Sequence, residues 1–430
     1  MKRKMRSLAL WFVILSVVSI LSSAAVLFLS HGEAFSRLFF SDVRDTGMDF
    51  FNSIEYVRGR MPYEQYSTLY PPLANLFFYV LIRFVPRSQS DLWPSDFSGS
   101  VTVRGTDIDL RTWQPTMLLF ILFIILSAAA ILYYARKRLG KKRGVNADLF
   151  AFCVLFSYGV LNAFERGNVV IVAFLCCLYF VRHQRERSRW KEALALFMLA
   201  AAAGIKLYPA FLGMMLIYDR EYKKAALAVA AGIAAFVLPA FAFHEGLHGL
   251  ALFLEQLSDH SAEMAESQIG FSFDRICRTV MNLITPAGSE AEGSFLLPSA
   301  LSWLSLVAVG FVLLSGFLME KRWQKLLACC VAMLMYSYQY SYATVFFLIP
   351  LIELIREEKR LTWGNALIFL ALVLSVVWLP IMDEAGWPVS LVYGRFQVCM
   401  ILFVLYLAVQ AVMGALRRRR NEQCDVPDAA

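Results

Sequence analysis

The apolar sequence LALWFVILSVVSILSSAAVLFLS, residues 8–30, decides the fold class, and it follows the basic start MKRKMR. About 20 consecutive apolar residues suffice for a helix to cross the hydrocarbon core of a bilayer. A signal peptide begins in the same way but has a shorter apolar part, so we interpret this run as an anchor helix. Further apolar runs occupy much of the remaining chain: 72–86, 113–135, 147–163, 168–182, 190–205, 207–218, 224–243, 297–318, 325–341, 342–355, 362–381 and 391–416.

The composition of the whole chain leads to the same class of protein. Its 430 residues are 59% hydrophobic and 14% aromatic, which is more than a soluble domain can hide from water. We therefore predict an all-α polytopic membrane protein with about 12 transmembrane helices and juxtamembrane helices in its outer loops. Residues 1–416 would form one transmembrane domain and residues 417–430 a cytoplasmic tail.

Clusters of lysine and arginine predict the orientation, because basic residues in short loops stay in the cytoplasm. Both termini are then cytoplasmic, and residues 31–71 and 244–296 face outward. The net charge of +8 is explained by these loops, so it does not indicate a nucleic-acid partner. The clusters that carry the argument are KRKMR (2–6), RKRLGKKR (136–143), RHQRERSRWK (182–191), DREYKK (219–224), EKRWQK (320–325), REEKR (356–360) and RRRR (417–420).

This orientation creates one conflict near the N-terminus. Three apolar runs lie between the cytoplasmic start and the cytoplasmic cluster at 136–143, and an odd number of crossings cannot return the chain to the same side. The run at 72–86 contains Pro72 and Arg83. We therefore expect it to be a half-length or re-entrant segment.

The first outer loop combines acidic residues with an apolar helical pattern. Its sequence SDVRDTGMDFFNSIEYVRGRMPYEQYSTLYPPLANL, residues 41–76, holds Asp42, Asp45 and Asp49. The apolar residues of DFFNSIEYV recur at helical spacing, which predicts a short amphipathic helix on the membrane surface. The sequence LHGLALFLEQLSDHSAEMAE in the second outer loop repeats that pattern.

Polar residues inside apolar runs are functional candidates, since they are costly in lipid. Glu165, Arg166 and Asn168 interrupt one stretch, and Lys206 and Tyr208 interrupt another. One interpretation is that Glu165 pairs with Arg166 or Lys206 to stabilise a sharp turn. The alternative is that Arg166 and Lys206 bind an anion, and a lipid phosphate is the anion most available at the outer leaflet.

Three ordered segments carry a family resemblance: MDFFNSIEYVRGRMPYEQYSTLYPPL, ERGNVVIVAFLCCLYF and AAAGIKLYPAFLGMMLIYDREYKKA. They resemble the signatures of glycosyltransferase family 87, the polyprenol-phosphate-mannose-dependent mannosyltransferases of the GT-C superfamily. AESQIGFSFDRIC, residues 265–277, resembles a fourth segment from the large outer loop of that family. The resemblance covers roughly residues 40–355. Where the family tends to have a Trp and a His, this chain has YSYQYSYATVFFLIP (336–350). The identity of the sugar and of the acceptor therefore stays open.

The resemblance implies a GT-C-type helical bundle with an outward catalytic face. The enzyme would transfer a hexose, with mannose as the first expectation, from a polyprenyl-phosphate donor to a glycolipid or glycan acceptor. It would use no nucleotide sugar directly. Within the matching segments, the candidate substrate-binding residues are Tyr70, Glu165, Arg166, Asn168, Lys206, Tyr208, Gln268 and Arg275.

Transfer to a hydroxyl group requires a base, and a carboxylate at the membrane surface suits that role. We choose Asp49 over Asp42 because Phe50 and Phe51 can anchor the helix and fix the depth of Asp49; Asp45 ranks third. An N-cap is the alternative role of Asp49. Carboxylates also bind divalent metals, but Arg166 and Lys206 can neutralise the leaving phosphate, so we expect no cofactor and no metal site.

A transporter or flippase of a lipid-linked or anionic substrate is the alternative function. Intramembrane Arg, Lys and Glu residues also line transport pathways. Many transporters contain an internal repeat, and we find none in this sequence. The sequence therefore favours the enzyme.

Overall fold

Helices form all the regular structure in the computed structural model, which describes residues 7–34, 46–87, 111, 114–139, 145–266, 270–284, 297–336, 338–358, 360–381 and 390–424. Within these ranges the chain has 17 α-helices and no strand, so the predicted all-α class is confirmed. The α-helices are α1 (Leu8–Leu29), α2 (Met48–Tyr56), α3 (Pro72–Leu81), α4 (Gln114–Leu139), α5 (Ala147–Leu155), α6 (Tyr158–Arg166), α7 (Val170–His183), α8 (Arg189–Ile205), α9 (Met214–Tyr218), α10 (Tyr222–Val237), α11 (Gly246–Glu266), α12 (Phe273–Ile284), α13 (Leu297–Ser315), α14 (Arg322–Met335), α15 (Leu348–Glu358), α16 (Trp363–Val376) and α17 (Leu391–Cys424). The 3-10 helices are Ile82–Phe84, Tyr208–Gly213, Leu238–Ala242, Gly316–Leu318 and Ser341–Phe347.

Four of the helical segments are long and apolar enough to cross a membrane: Leu8–Leu29, Gln114–Leu139, Tyr222–Ala242 and Leu391–Arg418. A helix of 22 residues such as α1 is about 33 Å long, which matches a hydrocarbon core of about 30 Å. Helices α5 and α6 together form a fifth candidate, bent by 51°. The polytopic class is therefore confirmed. Within the described residues, four or five segments are long and apolar enough for a full span, and the total of about 12 transmembrane helices stays a prediction.

Several of the other predicted runs form short helices. The runs at 190–205 and 207–218 become α8, a 3-10 helix and α9, with a break around Lys206. Segment Pro72–Phe84 is likewise a short apolar helix, with ten residues in α3 followed by one 3-10 turn. At about 1.5 Å per residue, such segments are shorter than the bilayer core.

The interior and the surface of the bundle are both apolar. In α14, 12 of 14 residues are buried, and in α15 the eight residues 348–355 are buried, so the apolar parts of both helices lie in the interior. The long candidate spans instead expose large apolar side chains, such as Phe28, Leu126 and Val229. Such a surface is suited to lipid rather than to water.

Helix α2 corrects one prediction. The expected amphipathic helix forms, but its apolar residues Phe50, Phe51 and Ile54 are fully buried in the protein. The ring of Phe50 lies 5.8 Å from that of Phe78 in α3 and 5.3 Å from that of Phe120 in α4. Aromatic pairs of this kind stabilise by about 0.5–1.5 kcal/mol beyond the burial of area. The protein core, and not the bilayer surface, therefore fixes the position of α2.

Candidate active site

The turn after α6 brings two predicted site residues next to α2. Helix α6 ends at Arg166, and Gly167 adopts a left-handed conformation (φ 66°) as the C-cap. A Cβ atom on Gly167 would lie 2.6 Å from the Cβ of Phe50, so only glycine permits both this backbone conformation and this close approach. Arg166 and Asn168 consequently lie beside the first turn of α2.

Both carboxylate oxygens of Asp49 accept hydrogen bonds from that turn. Nη2 of Arg166 donates to Oδ1 over 2.8 Å, and Nδ2 of Asn168 donates to Oδ2 over 2.6 Å. The alternative role of Asp49 as an N-cap is wrong, because Gly47 occupies that position and no side chain caps the helix. The Asp49 side chain is 19% exposed, so a small reactant can still reach it.

Asn168 connects Asp49 to Tyr70. Its Nδ2 also donates to Oη of Tyr70 over 3.0 Å, and its Oδ1 accepts from the backbone N of Val170 over 2.8 Å. The contact with Val170 fixes which end of the amide points to Asp49. Asn168 is almost completely buried, so its orientation is fixed by these contacts.

Lys206 adds a second cation to the group. It lies between α8 and the following 3-10 helix, outside the candidate spans, and its Nζ is 4.2 Å from the ring centroid of Tyr70. Burial lowers the pKa of Lys206 to about 8, against the opposing effect of Asp49. Burial and then the charge of Asp49 raise the pKa of Tyr70 well above its usual value. The phenol of Tyr70 therefore keeps its proton at neutral pH.

Two buried polar groups close to these side chains lack partners. Oη of Tyr208 and Oδ1 of Asn52 have no hydrogen bond to any residue that the structure describes. Tyr208 interacts electrostatically with Tyr70, and Asn52 lies one helical turn after Asp49 on α2. A buried polar group without a partner costs about 1–3 kcal/mol, so each of them is suited to binding a ligand.

Glu165 contacts the segment that leads into α2. Its Oε1 accepts from Oγ1 of Thr46 over 3.1 Å, and its backbone O accepts from N of Gly47 over 2.7 Å. These bonds hold the start of α2 against the end of α6. Glu165 thus positions Asp49, a role that the sequence did not indicate.

A comparison with models of known protein families identifies the family of this chain. The model of glycosyltransferase family 87 matches residues 68–339, well over half of the chain. The chain belongs to glycosyltransferase family 87. It is therefore a membrane glycosyltransferase, and the suspected resemblance is confirmed. No curated protein and no solved structure matches the chain at a significant level.

The matched range of this glycosyltransferase contains Tyr70, Arg166, Asn168 and Lys206, whereas Asp49 lies before it. Asp49 is connected to the family region through its two hydrogen bonds. Only the folded chain therefore combines this carboxylate with the basic residues of the family segments.

Four predicted site residues remain, and three of them fall in stretches that the structure does not describe. Asp42, Asp45 and Gln268 lie outside the residues that the structure describes. Arg275 is on α12, is almost completely buried, and interacts electrostatically with Tyr338. Among the described residues, the hydrogen bonds of Asp49 come from Arg166 and Asn168, and the role of Arg275 at the substrate stays a prediction.

The sequence analysis missed Tyr342, which interacts electrostatically with Asp49, Tyr70 and Tyr208. The alternating tyrosines of residues 336–342 are the signal that could have identified it.

Metal binding is not decided by this arrangement. Among the residues that the structure describes, no group of three or more His, Cys, Asp or Glu side chains could hold a metal ion. Asp42 and Asp45 are not among those residues. The expectation of a metal-independent glycosyltransferase stays a prediction.

Proposed function

We propose that this glycosyltransferase transfers a hexose, with mannose as the first expectation, from a polyprenyl-phosphate-linked donor to a hydroxyl group of a glycolipid or cell-envelope glycan. The observation that carries the proposal is the Asp49 carboxylate held between Arg166 and Asn168, with Lys206 close by. A carboxylate can accept a proton, and the two cations suit the phosphate of a lipid-linked donor.

The reaction follows from these groups. Asp49 takes the proton of the acceptor hydroxyl while the hydroxyl oxygen attacks the anomeric carbon of the donor sugar. The bond between that carbon and the phosphate oxygen breaks, and the polyprenyl phosphate leaves with the electron pair. Arg166 and Lys206 stabilise the growing negative charge on the phosphate. The hydroxyl of Tyr208 and the amide oxygen of Asn52 are available to bind the hydroxyl groups of a sugar.

The proposed location is the outer face of the cell membrane. The basic loops favour cytoplasmic termini and place the turns at Arg166 and Lys206 on the opposite side. A donor dissolved in the bilayer reaches such a site by lateral diffusion, which agrees with the lack of a nucleotide-binding glycine loop in the sequence.

Asp49→Asn tests the proposal. The full chain, reconstituted in lipid vesicles, is incubated with radiolabelled polyprenyl-phosphate mannose and a glycolipid extract from cells that lack the chain. Loss of the base should lower transfer by about 10²-fold or more. Asp148→Asn is the matched control, because Asp148 also pairs with an arginine, Arg136, but is exposed and lies at the start of α5, whereas Arg166 lies at the end of the following helix α6.

Two results would contradict the proposal. An Asp49→Asn variant that keeps most of its transfer activity would show that the base lies elsewhere, and Asp42 would become the next candidate. Movement of the labelled donor across the bilayer without transfer would instead support a transporter or flippase.

A further inference from the structure

Three tyrosines after α14 form a row of rings, which we call the tyrosine row: Tyr338, Tyr340 and Tyr342. The ring centroids of Tyr338 and Tyr340 are 5.0 Å apart in an edge-to-face arrangement, and those of Tyr340 and Tyr342 are 5.5 Å apart and stacked. Residues 338–340 are not helical, and alternation with polar residues allows neighbouring rings to lie on one side of an extended backbone. This row lies within residues 336–350, where the family resemblance led us to expect a Trp and a His.

One end of the tyrosine row lies at the candidate active site. Tyr342 is nearly buried and interacts electrostatically with Asp49 and Tyr70. Tyr340, the next ring, is 39% exposed. At the other end, Tyr338 packs edge-to-face with His260 and lies near Arg275. The row therefore connects the carboxylate, through Tyr342, to an exposed ring at its centre, Tyr340.

Helix α6 fixes both the row and the partner of Asp49. Oγ of Ser341 donates to Oδ1 of Asn162 on α6 over 3.1 Å. A Cβ atom on Gly159 of α6 would lie 2.4 Å from the backbone N of Val345, so α6 packs directly on the 3-10 helix that follows Tyr340. Because α6 also ends in Arg166, the row and the carboxylate are held at a constant separation.

The rings of the tyrosine row are chemically suited to bind a sugar. A pyranose has an apolar face of C–H groups and a rim of hydroxyl groups, while tyrosine combines an apolar ring with a polar tip. Aromatic walls with a few polar groups are typical of small-molecule sites. We propose that the tyrosine row binds the sugar of the acceptor and directs its hydroxyl to Asp49. This inference rests on the proposed function, since only a glycosyl acceptor has to reach that carboxylate.

An aromatic belt at the membrane interface is the alternative role of these tyrosines. Rings that only contact lipid headgroups would not distinguish a sugar from another headgroup. The choice therefore depends on whether removal of a ring weakens the binding of a sugar.

The experiment uses the full chain in lipid nanodiscs, with octyl α-mannoside as a lipid-tailed sugar probe and octanol as the probe without sugar. Saturation-transfer NMR reports binding without turnover, and transfer from polyprenyl-phosphate mannose is measured in parallel. Tyr340→Leu removes the ring, and Tyr340→Phe keeps it. Tyr336→Leu is the matched control, because Tyr336 is also exposed but its ring contacts Phe211, outside the row.

We expect Tyr340→Leu to weaken the affinity for octyl mannoside by about three- to tenfold, the range that one aromatic contact supplies. Tyr340→Phe and Tyr336→Leu should bind the probe nearly as the wild type does, and octanol should not distinguish the variants. Equal affinities of Tyr340→Leu and the wild type would overturn the assignment of the row while transfer continues. A wild type that transfers no sugar from the donor would refute the proposed function, and with it the acceptor role of the row.

Discussion

Replacing Asn168 by Asp would turn the donor that holds Asp49 into an acceptor. Nδ2 of Asn168 lies 2.6 Å from Oδ2 of Asp49, so the new carboxylate would face Asp49 at hydrogen-bond distance. Two carboxylates this close cannot both be ionised near neutral pH, and the pair shares one proton. Asp49 would then no longer accept a proton from the acceptor, and we expect transfer at neutral pH to fall by about 10²-fold.

The pH dependence of this variant has a defined sign. The neighbouring negative charge raises the pKa at which the pair loses its shared proton. Asp49 therefore regains its ability to accept a proton as the pH rises, and the Asn168→Asp variant should recover part of its activity at alkaline pH. A structural defect alone would not produce this recovery.

The stability of the site can be measured separately with Asn168→Ala. This change removes one hydrogen bond to a charged group, worth about 1.5–3 kcal/mol, and two neutral ones, to Tyr70 and from the backbone N of Val170, worth about 0.5–1.5 kcal/mol each. The free energy of unfolding should thus fall by about 2.5–6 kcal/mol. Asn146→Ala is the matched control: it removes two hydrogen bonds that cap α5, costs about 0.5–2 kcal/mol, and should leave transfer unchanged.

The assay combines thermal unfolding of the purified protein with transfer rates over a range of pH values around neutrality. An Asn168→Asp variant with the activity and pH profile of the wild type would refute the reasoning. The reasoning would also be refuted if Asn146→Ala lowered the transfer rate together with the thermal stability, because this variant lies outside the site.

Three further predictions concern the donor site and the orientation. Arg166→Ala should weaken the apparent affinity for the donor more than the affinity for the acceptor. Arg166→Lys should restore the donor affinity only in part, because lysine lacks the planar fork of arginine. A donor affinity that is unchanged in Arg166→Ala would contradict this prediction. Burial lowers the pKa of Lys206 to about 8, so donor affinity should decrease above that pH as the ammonium loses its proton. The Lys206→Arg variant should keep its donor affinity there. Identical affinity profiles of the wild type and this variant at alkaline pH would exclude Lys206 as a phosphate ligand. A variant with Cys277 as its only cysteine should react with an impermeant maleimide from the outer side, and labelling only from the cytoplasmic side would reverse the proposed orientation.

The sequence predicted the class of the fold and most of the polar residues of the site. Runs of apolar residues are a direct consequence of the bilayer thickness, and a charged residue such as Arg166 is conspicuous within them because it is costly in lipid. The sequence did not predict that α2 is buried in the protein. Helical spacing shows which face is apolar, but lipid and the side chains of Phe78 and Phe120 cover such a face equally well.

Long-range contacts are the second feature that the sequence did not predict. Tyr342 lies close to Asp49 only because α6 packs on the segment after α14, and no local pattern encodes that packing. Breaks within the apolar runs were missed for a related reason. A hydropathy run does not show where a 3-10 helix or a polar turn divides it, as happens around Lys206.

The long lipid-facing helices and the polar groups of the site belong to different parts of the chain. Helices α1, α4, α10 and α17 contain the four long candidate spans. Asp49, Asn168 and Lys206 lie on a short helix or in turns, and Arg166 lies at the very end of the bent pair α5 and α6. A change in membrane thickness can be absorbed by tilting of the long helices. We therefore expect the geometry of the candidate site to be insulated from hydrophobic mismatch, so that the same arrangement forms in membranes whose lipids differ in acyl-chain length.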